Sequence, residues 1–212
     1  SIRRQRQMCI RDSIRHGQTD WNLARRIQGS TDIPLNEKGR EDARTAAGLL
    51  EGTTHHSIYA SPLKRARETA EIISGSLGLG SPVLVPDMRE REFGEGEGML
   101  VSDYIEKYGD WLSPVPGAET LEGVAERALI ALDTIARDAR RRSAPVAESV
   151  IVVTHGGVIR SLIDHVSGGT LPRVGEVLAN GSVHRFEASP GSLRLIDQGM
   201  LCLLYTSDAA DE

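Results

Sequence analysis

The triplet Arg15-His16-Gly17 is where side-chain types first combine into chemistry in this chain. A histidine that follows a strand and precedes a glycine can expose one imidazole nitrogen in a tight turn. An arginine beside it can hold a phosphoryl group through forked hydrogen bonds. A neutral imidazole with a held phosphoryl group within reach is a nucleophile facing its target. Taken alone, such a triplet more often marks a structural histidine, so the rest of the chain has to supply the other parts of a site.

The elements around it give the placement. Ser149-Val150-Ile151-Val152-Val153-Thr154 is a continuous apolar run, as expected of a strand buried on both faces. It ends in His155-Gly156-Gly157, and a helical pattern resumes over 158–167. Ser57 to Ser61 reads as a short strand that enters a loop at Pro62. Leu63 to Leu77 reads as a helix that stops at Gly78 and Gly80. Pro82 to Pro86 reads as a short strand between prolines. Leu121 to Arg142 is the longest helical pattern, with apolar residues at Leu121, Val124, Ala128, Leu129, Leu132 and Ile135. Strands alternating with helices, without a repeat or long linker, predict one α/β domain: a three-layer α/β/α sandwich with a mostly parallel central sheet. Ligands of such sheets sit at the carboxyl ends of the strands. Arg15-His16-Gly17 and Thr154-His155-Gly156 both fall there.

Five blocks in a fixed order then carry a resemblance. They are Arg15-His16-Gly17 with Thr19 and Asn22; Arg26 to Gly39; Ser61-Pro62-Leu63-Lys64-Arg65-Ala66-Arg67-Glu68-Thr69-Ala70; Glu90-Arg91-Glu92-Phe93-Gly94 running to Glu97-Gly98; and Thr154-His155-Gly156. Together they resemble the histidine phosphatase (phosphoglycerate mutase-like) superfamily, on its phosphatase branch, over most of residues 14–187. The resemblance implies that His16 is the nucleophile and becomes phosphorylated. It implies that Arg15, Arg65 and His155 surround the phosphate oxygens, and that Asn22, Gln28, Gly29 and the Gly156 N–H complete the substrate-binding set. Glu90 would protonate the leaving oxygen and later activate water. No cofactor and no metal are implied, and the partner is a small-molecule phosphate ester.

The chemistry agrees with those roles. A phosphate monoester dianion must be neutralised before a nucleophile approaches, and two arginines and a histidine supply that. Nearby guanidinium charges keep His16 neutral. An alkoxide leaves poorly, so one carboxyl group must deliver a proton.

Several other residues invite competing readings. Arg65 by itself would read as a solvated helix residue. Glu92, Glu95 and Glu97 rival Glu90, which is preferred for its spacing to Phe93-Gly94. Gly94-x-Gly96-x-Gly98 lacks the strand-turn-helix setting of a dinucleotide loop and reads as a plain loop. His55 and His56 read as exposed loop residues; His165 on a helix and His184 in a strand receive no catalytic role. The basic run Arg137 to Arg142 reads as a solvated helix end. Glu119, in Pro116-Gly117-Ala118-Glu119-Thr120, either meets water or substrate or holds its loop, and stays outside the catalytic set. The interval from Glu90 to His155 lacks the longer basic insertion of the cofactor-dependent mutases, and residues 99–123 contain one basic residue, Lys107. Water is therefore the expected acceptor. A phosphoglycerate mutase is the alternative, and an inactive phosphate-binding module the second.

Composition bounds the remainder. The 212 residues carry a formal net charge of −5, which argues against a nucleic-acid surface and requires a local cationic pocket for an anion. No apolar run approaches a membrane span, the cytoplasm is the expected compartment, and a homodimer stays open. The termini stand apart. A DNA tract that encodes residues 3–13 also encodes residues 202–212 when its opposite strand is read. It looks like a transposase-type sequencing adapter, so residues 1–13 and 202–212 are expected to be adapter translation around a domain at 14–201 truncated at both ends. Both cysteines, Cys9 and Cys202, lie in those tails. The strand before His16 should be central, and Arg11-Asp12-Ser13 would then bury unpaired charge at a cost on the order of several kcal/mol.

Overall fold

The computed structural model describes residues 9–111, 113–143, 149–173, 176–189, 192–197 and 201–203. Its centre is a six-stranded sheet. In chain order the strands are β1 (Cys9–Arg15), β2 (Ser57–Ala60), β3 (Val83–Leu84), β4 (Val150–Thr154), β5 (Glu176–Leu178), β6 (Val183–Ser189), β7 (Ser192–Asp197) and β8 (Leu201–Leu203). The helices are α1 (Asp20–Leu23), α2 (Glu37–Leu50), α3 (Lys64–Leu77), α4 (Val101–Tyr108), α5 (Leu121–Ser143) and α6 (Gly156–Ser167). The sheet order is β3-β2-β4-β1-β6-β7, with β5 and β8 forming a separate pair. Pairing is parallel from β3 through β1 and antiparallel from β1 through β7. The expected sandwich is present, as a mixed sheet: the hairpin β6–β7 closes one side antiparallel.

β4 shows why the apolar run reads as it does. Its five residues are all buried. Val150 and Val152 face a core shared with α5 and α6, through Val124, Leu132, Ile159 and Leu162. Ile151 and Val153 face the opposite core, shared with α2 and α3 through Ala47, Leu50, Ala66 and Ile73. Alternate side chains serve alternate faces, and both faces carry helices. α6 begins at Gly156, two residues earlier than its apolar pattern, because His155 is already its extended N-cap.

Two expectations need correction. β1 is central and does bury Asp12, which has no exposed surface, but the charge is paired. His55 Nε2 meets Asp12 Oδ2 at 2.7 Å and Arg185 Nε donates to Oδ1 at 2.9 Å. Burial would raise the Asp12 pKa; the two hydrogen-bonding partners outweigh it and leave the group below its ordinary value. His55 is accordingly buried rather than exposed, while His56 and His165 are exposed. The Arg11 side chain lies outside the described residues. So do the segments 1–8 and 204–212, while the backbone of 201–203 forms β8.

Candidate active site

The carboxyl ends of β1, β2 and β4 meet at one point, and the site is built there. His16 follows directly from β1. Its N–H donates to Thr154 O at 3.0 Å, and Asn180 Nδ2 donates to its carbonyl at 3.0 Å. The turn that follows is possible because two glycines touch: a Cβ on Gly17 would lie 2.1 Å from Gly39 O, and one on Gly39 would lie 2.1 Å from Gln18 O. The first turn of α2 therefore packs directly on the turn that holds the histidine. Gly17 N also donates to Thr69 Oγ1 at 3.1 Å, tying the turn to α3.

The imidazole is set by its neighbour. His16 Nδ1 lies 2.7 Å from Gly17 O. A carbonyl only accepts, so Nδ1 carries the proton and Nε2 keeps its lone pair. The His155 ring, at the end of β4, stands edge-on at 5.1 Å between centroids. Its Nε2 pairs with Ser61 Oγ, at the end of β2, at 2.7 Å.

Arg65 comes from the first turn of α3 and is fully buried. Its Nη1 donates to Thr31 O and its Nη2 to Gly29 O, both at 2.8 Å. Gly29 thus serves the site by orienting Arg65 through its carbonyl. Its φ of +53° and the Glu97 carboxylate 2.2 Å from a hypothetical Cβ both require glycine. Glu97 grips the same loop, accepting from Ser30 N at 2.9 Å, Ser30 Oγ at 3.0 Å and Thr31 Oγ1 at 3.1 Å. Arg15 lies against the start of α6, its Nε 3.3 Å from a hypothetical Cβ on Gly156, and its Nη1 donates to Leu178 O.

Glu90 is buried, and its carboxylate accepts from Arg91 N at 2.8 Å and Gly157 N at 3.2 Å. A side chain on Gly157 would collide with Glu90 Oε1, at 2.4 Å. Asn22 caps α1 with Thr19; its Oδ1 accepts from Thr19 N at 3.1 Å and Asn180 Nδ2 at 3.3 Å. Gln28 Oε1 accepts from Thr19 Oγ1 at 3.0 Å. All nine residues singled out in the sequence therefore gather in one region.

Electrostatics follow from that crowding. Burial holds the His16 pKa well below the ordinary imidazole range, and the Arg65 and Arg15 charges depress it further. Burial does the same to His155, again aided by Arg65. Arg65 itself is lowered to about 10 by burial, despite the opposing Glu90 and Asp32 carboxylates. Among the described residues, Arg15 Nε, Arg65 Nε and His155 Nδ1 are buried polar atoms with no hydrogen-bond partner. Also among the described residues, no group of three or more His, Cys, Asp or Glu side chains is placed to hold a metal ion. No helix there is long and apolar enough to cross a membrane.

Several residues that build this site were not singled out from the sequence. Ser61 and Thr69 lay inside a quoted block without a role. Asn180 had no local signal, since its partners are more than a hundred residues away in the chain. Glu119, left open, is a loop holder: Arg127 Nε and Nη2 donate to its two oxygens at 2.6 and 2.8 Å.

A neutral imidazole ringed by arginines and a second histidine, at the carboxyl ends of parallel strands, defines a phosphoryl-transfer enzyme of α/β architecture. Comparison with known proteins agrees. The model of the histidine phosphatase superfamily (branch 1) matches residues 13–199. An uncharacterised phosphatase, PhoE, of Bacillus subtilis is 36% identical over 185 residues, covering 87% of this chain and 91% of its own. Phosphoglycerate mutase-like protein 4 of Arabidopsis thaliana is 35% identical over 189 residues, covering 84% and 79%. The solved structure of a mycobacterial glucosyl-3-phosphoglycerate phosphatase superposes with a TM-score of 0.75 at 25% identity, covering 92% of this chain and 99% of that one. This chain belongs to the histidine phosphatase superfamily and is, by class, a phosphatase.

Proposed function

We propose that the chain hydrolyses small, soluble phosphate monoesters through a phosphohistidine at His16 Nε2, and that it does so in the cytoplasm. The observation that carries this is the set of three unpartnered buried nitrogens, on Arg15, Arg65 and His155, around an imidazole whose other nitrogen is already committed. Buried polar atoms without partners are uncommon, and these three belong to the side chains that crowd the His16 ring, where a ligand can complete them. A phosphoryl group offers three such oxygens and the negative charge that two arginines favour. The first turn of α6 adds the Gly156 N–H and the positive end of the helix.

In the first step His16 Nε2 attacks phosphorus, the bond to the leaving oxygen breaks, and the Glu90 proton passes to that oxygen. In the second, the Glu90 carboxylate takes a proton from water, the hydroxide oxygen bonds phosphorus, and the N–P bond breaks to release phosphate. Water is the acceptor because the basic residues between Glu90 and the end of α4 are already engaged. Arg91 donates to Glu119 O and Trp111 O, and Lys107 lies 3.8 Å from Glu95 and over Tyr108. A bound second phosphate would need such cations free.

Acid-quenched trapping tests the reading. The wild-type chain and His16→Ala are mixed with a panel of labelled phosphate monoesters. An acid-labile phosphoprotein that requires His16, with release of inorganic phosphate, is expected. Transfer of the label to phosphoglycerate instead of water would replace the hydrolase by a mutase. Absence of both label and release from the folded chain would leave a binding module.

A further inference from the structure

The half-buried ion pair Glu119–Arg127 takes no part in the chemistry above, yet it is fitted closely around the segment that takes the most demanding part. Arg127, on α5, commits all five N–H donors of its guanidinium. Two go to Glu119, from Nε at 2.6 Å and Nη2 at 2.8 Å. The other three go to main-chain carbonyls of one segment: Nη1 to Asp87 O at 2.7 Å and to Arg89 O at 2.9 Å, and Nη2 to Glu90 O at 3.2 Å. Glu119 reaches the same segment from the other side of Glu90. Its N–H donates to Glu92 O at 2.8 Å, and its Oε2 lies 3.5 Å from Glu92 N. The segment 87–92 is thereby fastened on both sides of Glu90. The Glu90 carboxylate is itself held by main-chain N–H groups, of Arg91 and Gly157. Where the carboxyl points therefore depends on where this backbone lies.

Two charges lose hydration even when half-buried, and stability alone is often served as well by apolar residues in their place. A five-donor fork that grips the carbonyls of an irregular segment offers what apolar residues cannot, which is a defined backbone position. We propose that the Glu119–Arg127 pair is the positioning device for the Glu90 proton donor: it governs protonation of the leaving oxygen while leaving phosphoryl binding to Arg15, Arg65 and His155. The proposal rests on Glu90 being the acid, as argued above.

The two duties separate by leaving group. An aryl phosphate such as p-nitrophenyl phosphate expels its oxygen with little help from a proton, whereas an alkyl phosphate such as glycerol 2-phosphate needs one. Because kcat/KM covers the steps up to the first phosphoryl transfer, it isolates the acid's contribution. A positioned acid is worth about 10² to 10⁴-fold, so Glu90→Gln should lower kcat/KM for the alkyl ester by at least about 100-fold. Arg127→Lys keeps the charge and stem but replaces the fork by one ammonium. It should lower the alkyl value about 20-fold and the aryl value less than about threefold, with orthovanadate affinity changed less than about twofold. Glu119→Gln, which conserves volume, should show the same selectivity to a smaller degree, and it carries the test if the lysine variant does not fold.

Alkyl-selective loss in these variants, parallel to that in Glu90→Gln, supports the proposal. Equal loss on both esters, or none, when Glu90→Gln is selective, makes the pair merely structural and overturns it. A Glu90→Gln variant without alkyl selectivity would overturn the acid assignment itself, and the positioning role with it.

Discussion

The hydrogen bond from His16 Nδ1 to the carbonyl of Gly17 leaves Nε2 as the nitrogen with a free lone pair, and burial with the charges around the ring favours its neutral form. Burial is the larger depressor of the His16 pKa and Arg65 the next. Removing the Arg65 charge should therefore raise the pKa part of the way toward its ordinary value of about 6.5. Arg65→Gln is expected to move the acid limb of the kcat/KM profile to higher pH, and an NMR titration of the His16 ring should follow it; an unchanged or lower value would show that the charge is screened. The site was legible in the sequence wherever the reacting atom travels with a local motif, as in Arg15-His16-Gly17 or Thr154-His155-Gly156. It was not legible where the partner lies far away. Nothing beside Asn180 announces that it will hold the His16 carbonyl, and nothing beside Arg127 announces five acceptors spread over residues 87–119. Glu97 was weighed only as a rival acid; its grip on the loop that orients Arg65 appears only in three dimensions.

At the scale of the element, β1 departs most from expectation. Its central place followed from the pattern of strands, but the fate of Asp12 did not, because His55 lies beyond α2 and Arg185 sits in β6. A buried carboxylate is costly alone and tolerable with two hydrogen-bonding partners. Asp12→Val leaves His55 Nε2 unpartnered in a buried position, and His55→Leu takes away one of the two partners of the carboxylate. Each single change should destabilise the fold by about 1–3 kcal/mol. The pair Asp12→Val with His55→Leu removes both polar groups together and should fall within about 1 kcal/mol of the parent. Equilibrium urea unfolding of the four proteins measures the cycle; strictly additive losses would mean that the two side chains do not depend on each other. The helices follow the sequence more closely. The α5 pattern places Val124, Ala128, Leu132 and Ile135 in the core as its spacing predicts, because a 3.6-residue period is a local property and needs no distant partner.

The whole molecule responds to pH through groups that the site keeps neutral. His16 and His155 have folded pKa values well below the ordinary one, so the unfolded chain binds protons that the folded chain refuses. Stability should therefore rise with pH from the depressed values up to about 6.5 and level off above it. Asp12 acts in the same direction in a lower window: its folded pKa is also depressed, so its contribution is present above about 3.9 and is lost as pH falls through the folded value. Urea midpoints of the wild-type chain measured between pH 5 and 8, beside His16→Asn/His155→Asn, should show a slope that flattens in the double variant. An equal slope in both would assign the effect to other groups. The sheet order has a consequence of another kind. β1 is the first strand described, yet its two neighbours are β4 (Val150–Thr154) and β6 (Val183–Ser189). In synthesis the strand that leads to His16 precedes both of its neighbours by more than a hundred residues. Contacts so distant in sequence make folding slow, and a nascent chain stalled before β4 would carry its reactive histidine without the second histidine, the acid's anchor at Gly157 or the strands on either side. In this fold the constellation around His16 is complete only when both neighbouring strands have joined β1.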